Sequence, residues 1–196
     1  MGAFSVDALV EDIKAVAEKL SLPSFHIVGV SLGGAIALRL AAVTPKAIRS
    51  VVVSGLGLVP SQALADEIYG IREAQHYLAQ EVFAHQVAEA MLMPDTPDSK
   101  RQALSRSILK LSKQRYLQAL EAFSTVQFTD VVKHVRAPVL ILRGELDELV
   151  SNADTEALSI ALGGAARAEI ANAGDLADID NPSSFADHLN SFFDSM

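Results

Sequence analysis

The sequence predicts an α/β fold of three layers, α/β/α, with a mostly parallel sheet of about four strands and a helical insertion. Three observations carry this. Short apolar runs alternate with segments whose apolar residues recur at helical spacing, and such alternation winds into a parallel sheet with right-handed crossovers. Half the residues are apolar while aromatics make up 6% and Trp is absent, a balance that suits helix-and-sheet layers better than an all-β sandwich. The length, 196 residues, suffices for one globular core, since a domain of this size buries about 70% of its unfolded surface.

In chain order, Val6, Leu9, Val10, Ile13, Val16, Ala17 and Leu20 mark a first amphipathic helix, with Ser5 as N-cap. Pro23 ends it. Phe25 to Val30 (FHIVGV) is a short apolar run with β-branched residues, as expected of a strand buried on both faces. A glycine turn leads into a helix from Leu32 to Val43, whose small residues let it lie close to a sheet. Ser50 to Ser54 repeats the buried-strand pattern and runs into the loop GLGLVP. Residues 61–133 show helical patterning with no strand-like run. Pro138 to Arg143 is a third buried strand, and Ala153 to Leu162 a helix opened by Asn152 and closed by Gly163 and Gly164. Arg167 to Ile170 is a weak fourth strand. Asn181 as N-cap and Pro182 at the first helical position open a last helix through Phe185, Leu189, Phe192 and Phe193. The chain thus divides into a first core part (1–60), a helical layer (61–133) and a second core part (134–196).

Composition excludes several functions. The net charge is −8 and Lys and Arg do not cluster, so the basic footprint of a nucleic-acid binder is missing. The absence of Cys removes disulfides, thiolate metal sites and a cysteine nucleophile, and is compatible with a reducing cytoplasm. The acidic start MGAFSVDALVEDIKAV is unlike a signal peptide, and no apolar run reaches membrane-spanning length. Met1-Gly2 could begin a myristoylation signal, but Val6 stands where Ser or Thr is preferred. A soluble, cytoplasmic protein without a membrane partner is expected.

Gly29-Val30-Ser31-Leu32-Gly33 matches G-x-S-x-G between a predicted strand and a predicted helix, the context in which this motif presents a nucleophilic serine. The sharp turn strains the serine backbone and raises its hydroxyl above the sheet, and glycines on either side let neighbouring backbone pass closely. The helix that starts at Leu32 turns its free amides and positive dipole end toward a developing oxyanion.

The blocks HIVGVSLGGAIALRLAAVTPKAIRSVVV, APVLILRGELDELV and AGDLADIDNPSSFADHLNSFF, in this order, resemble signature blocks of the α/β-hydrolase family, closest to its esterase, enol-lactonase and haloperoxidase-like branch. The resemblance implies that residues 61–133 form a cap, or lid. It also implies that Ser31 is the nucleophile, the Leu32 amide an oxyanion donor, and Asp147 the acid that orients the catalytic histidine. Where the family has that histidine, after glycine, this chain reads Gly174-Asp175, followed by Ala177-Asp178.

A serine needs a base with a pKa near the working pH, and an ordinary carboxylate, near 3.9, is too weak. Activity on small esters or lactones through an acyl-enzyme is therefore expected to be impaired. Of His26, His76, His85, His134 and His188, only His188 follows Asp147, and it falls within the last helix; His76 and His85, in the helical layer, remain candidates for a substitute base. Asp147 and Asp175 should face each other, raising one pKa, so that the pair shares a proton or attracts a cation. Asp178 is read with them as solvated rather than as a metal ligand; no cofactor and no metal are expected. Family members carry strands, and the loop with the second oxyanion amide, ahead of the first helix seen here. The resemblance therefore implies a half-built oxyanion hole and an exposed edge at Phe25 to Val30, covered by a separate polypeptide or in a homodimer or swapped oligomer. Three readings stay open: an impaired hydrolase, a working one with its base elsewhere, and a non-catalytic small-molecule-binding or scaffold protein on the same fold.

Overall fold

The computed structural model describes residues 4–196; Met1–Ala3, and with them the myristoylation reading, lie outside the described residues. Four parallel strands form one sheet in the order β1 (Phe25–Val30), β2 (Ile48–Ser54), β3 (Val139–Gly144) and β4 (Ala166–Ile170). Register is continuous from β2 to β3, with Val52 opposite Leu140 and Val53 opposite Ile141. Because successive side chains leave a strand on opposite faces, this register sorts the core in two. Val51, Val53, Val139 and Ile141 join the cluster that includes Ala35 and Leu38 of α2 (Leu32–Val43) and Leu158 of α8 (Asn152–Ala161). Val52, Leu140, Leu142 and Ile170 pack on the other side with Phe185 of α10 (Pro182–Asp194). The three layers follow directly.

The helix starts are fixed by local chemistry. Ser5 accepts from the Ala8 amide at the head of α1 (Val6–Lys19), and Asn181 from Ser184 at the head of α10. For α8 the expected cap, Asn152, is corrected to Ser151, which forms a reciprocal capping box with Asp154; Asn152 instead stands first inside the helix. The helical layer resolves into α3 (Gln62–Tyr77), α4 (Gln80–Ala90), α5 (Asp98–Leu109), α6 (Lys113–Ser124) and a short α7 (Phe128–Val131). A four-residue helix, α9 (Ala177–Asp180), carries no periodic signal and was not expected from the sequence.

β1 departs from its reading as a strand buried on both faces. It lies at one edge of the sheet, no strand among the described residues pairs with its outer side, and Val28 is 42% exposed. An apolar run reports burial in a layer, and cannot say how many neighbours a strand has. Among the described residues no helix is long and apolar enough to cross a membrane.

Candidate active site

The turn between β1 and α2 holds Ser31 at φ 51° and ψ −119°, a conformation that costs a non-glycine residue energy and is held only by its surroundings. The Ser31 amide donates to the Ser54 carbonyl at 2.8 Å, fastening the turn to the end of β2. The turn is as tight as the motif requires on one side: a Cβ on Gly29 would lie 2.1 Å from the Gly33 carbonyl oxygen. On the other side the expectation is corrected, because a Cβ on Gly33 would meet nothing within 4 Å. α2 opens with the Gly34 and Ala35 amides donating to the Ser31 carbonyl, at 2.9 and 3.2 Å. The Leu32 amide finds no acceptor among the described residues and stays available beside Ser31.

The loops after β3 and β4 meet because Gly144 passes directly against the second: a Cβ there would stand 2.1 Å from the Gly174 carbonyl oxygen. The Leu146 amide donates to Ala173 at 2.9 Å and locks the approach. Arg143 braces the first loop from behind, its guanidinium donating to the Val150 and Asp147 carbonyls at 2.6 and 2.9 Å and to Glu169. Asp147 is 5% exposed. Its Oδ1 accepts from the Leu149 and Val150 amides at 2.9 and 2.8 Å, while its buried Oδ2 has no donor. Asp175 lines the same cavity and lies near enough for the Asp147 carboxyl to act on it. Burial first, then the Asp147 charge and hydrogen bond, and then Glu67 of α3, push the Asp175 carboxyl up to about 8; a hydrogen bond from the Glu148 amide, at 3.3 Å, acts in the opposite direction.

Ser31, Asp147 and Asp175 line one cavity at the carboxyl ends of the strands, where parallel sheets place their sites. Leu64, Met91, Phe123 and Phe128 wall it from the helical layer. Its volume is about 40 Å³, room for a few waters at roughly 10–15 Å³ each. Among the described residues no histidine lines it: His76 and His85 are exposed, and His26 instead pairs with Ser50 at 2.6 Å. The idea of a base from the helical layer is thereby overturned. Asp178 does not line the cavity, and among the described residues no three His, Cys, Asp or Glu side chains are grouped to hold a metal ion.

A family model described as the α/β-hydrolase fold matches residues 2–182. The chain belongs to the α/β-hydrolase family. A search of curated protein sequences matched none. Among solved structures, an α/β-hydrolase enzyme from a Medee basin deep-sea metagenome library superposes with TM-score 0.85 at 23% identity, over 98% of this chain and 73% of that one. The enol-lactonase of Burkholderia xenovorans gives TM-score 0.85 at 17% identity, over 98% and 74%. An esterase of Exiguobacterium antarcticum gives 0.86 at 18%, over 97% and 74%. These likenesses are of fold, and this α/β-hydrolase spans about three-quarters of each neighbour's length.

Two site features of this α/β-hydrolase escape the sequence reading. Asp180 accepts from the Gly174 amide at 2.9 Å, from the Met93 amide at 3.1 Å and from the Thr96 hydroxyl, and so ties the Asp175 loop to the chain after α4. Glu67 of α3, itself raised by burial, raises the Asp175 carboxyl further. Asp180 stands five residues past Asp175 beside a capping Asn, a local signal available in principle. Glu67 offers none, since it acts on Asp175 only through its charge and from 108 positions earlier in the chain.

Proposed function

We propose that this α/β-hydrolase acts on small carboxylic esters or lactones through an acyl-enzyme on Ser31, and that it is impaired at neutral pH because Asp175 stands where an imidazole would serve. The observation that carries this is the meeting of strained Ser31 with the Asp147–Asp175 pair in one cavity without a histidine. In this reading ionised Asp175 takes the Ser31 hydroxyl proton as the oxygen attacks the carbonyl carbon. The Leu32 amide donates to the resulting oxyanion, and Asp175 returns the proton to the leaving oxygen. Its raised pKa changes the reason for impairment. Once ionised the carboxylate is a competent base; at neutral pH it is already protonated. The room in the cavity supports a short acyl group.

Labelling of Ser31 by a fluorophosphonate and hydrolysis of p-nitrophenyl acetate, followed from pH 6 to pH 10, test this. Both rates should rise with pH and level off above about 8. Asp175→His should raise the rate at pH 7 by about 10²-fold or more, the lower end of what a positioned base contributes. Absence of labelling at every pH, or turnover unaffected by Ser31→Ala, would contradict the proposal; retention of an ester without turnover would favour the non-catalytic reading.

A further inference from the structure

The cavity's charges are all of one sign. Asp147, Asp154 and Asp175 line it and, among the described residues, no cation does. Asp154 is spent on its capping box with Ser151, and Arg143, the cation at the end of β3, on backbone carbonyls and Glu169. From α3, Glu67 adds a further negative charge near Asp175, and Glu148 contributes only its amide. Within this set Asp147, nearly fully buried, lines the cavity and leaves Oδ2 without a donor. A buried carboxylate among apolar walls is costly until a proton or a cation compensates it. A bare metal ion needs a shell of several oxygens, and the described residues offer no such group. An anionic ligand would be repelled. A small organic ammonium supplies N–H donors to the carboxylates and CH₂ groups to the leucine, methionine and phenylalanine walls.

We infer that the cavity binds a primary ammonium group, seated between the Asp147 and Asp175 carboxylates, and that the substrates are esters or lactones with an amine on a short acyl part. This deepens the ester-hydrolase reading and rests on it for the word substrate. The ammonium takes the place of the shared proton. Since Asp175 binds that proton up to about pH 8, binding at pH 7 releases it to solvent, and affinity rises with pH until Asp175 is fully ionised.

Calorimetric titration of the Ser31→Ala protein with ethylammonium chloride, ethanol, sodium acetate and potassium chloride tests the inference without any acylation step. Ethylammonium should bind at least about tenfold more tightly than ethanol, the factor that about 1.4 kcal/mol gives. Buffers of different ionisation enthalpy should report release of roughly one proton per ligand at pH 7. Asp175→Asn, which keeps a donor toward Asp147, should abolish that release and weaken ethylammonium at least about tenfold. Equal binding of ethanol, acetate or potassium, or binding unaltered in Asp175→Asn, would overturn it. Fluorophosphonate labelling of Ser31 in the unmodified protein reports the hydrolase reading alone. Labelling without ethylammonium binding would sink this inference and leave that reading standing.

Discussion

At the scale of single residues, the burden falls on Asp175, whose carboxyl is held up to about 8 by burial and by Asp147. In the unfolded chain it titrates near 3.9. Between these values the folded protein holds a proton that the unfolded chain has released, so stability declines as pH rises through this window and is lowest above the folded pKa. Asp175→Asn keeps a neutral donor at every pH. Thermal melting should therefore show the variant gaining on the unsubstituted protein between pH 5 and pH 9, by at least about 2 °C, the shift that about 1 kcal/mol produces in a domain of this size. A constant difference would mean that the two carboxyls do not interact. The nearness of Asp147 and Asp175 is legible only through the family resemblance, which places both on the same site. The rise of the Asp175 carboxyl is not legible, because its largest cause is burial in the folded protein, with Asp147 next.

At the scale of elements, the strand, turn and helix around Ser31 are legible almost to the residue, since apolar run, glycines and small-residue helix all agree. The two motif glycines nevertheless do different work. A Cβ at Gly29 would strike the Gly33 carbonyl oxygen, so Gly29→Ala must push α2 away from β1 and should cost about 3 kcal/mol or more, in the severe range for backbone clashes. Gly33 lies within α2 with open space where its Cβ would stand. There Gly33→Ala should stabilise by about 0.5–1 kcal/mol, by restricting the unfolded chain. Urea denaturation of both variants checks the pair, and equal losses would show that the turn is tight on both sides. What stays hidden at this scale is short or long-range: α9 has too few residues for a period, and the Asp180 ties join segments more than eighty positions apart.

At the scale of the whole molecule, the class of fold follows from the alternation of strands and helices, but a strand's place in the sheet does not. FHIVGV carries the apolar pattern of a strand buried on both faces and stands at the edge that the family resemblance implies, where its outward amides and carbonyls have no strand among the described residues to pair with. On that edge strand Val28 is exposed. Unprotected edges of this kind recruit a further strand, and in a solution of one protein the available strand is the same β1 of a second copy. Two copies meeting edge to edge would extend the sheet across a two-fold axis. Sedimentation equilibrium should accordingly find a concentration-dependent dimer, and Val28→Lys, which sets like charges close together across that axis, should shift it to monomer while leaving the far-ultraviolet circular dichroism unchanged. A monomer at every concentration in the unsubstituted protein would show that twist and side chains already blunt the edge, and the expectation of pairing would fall.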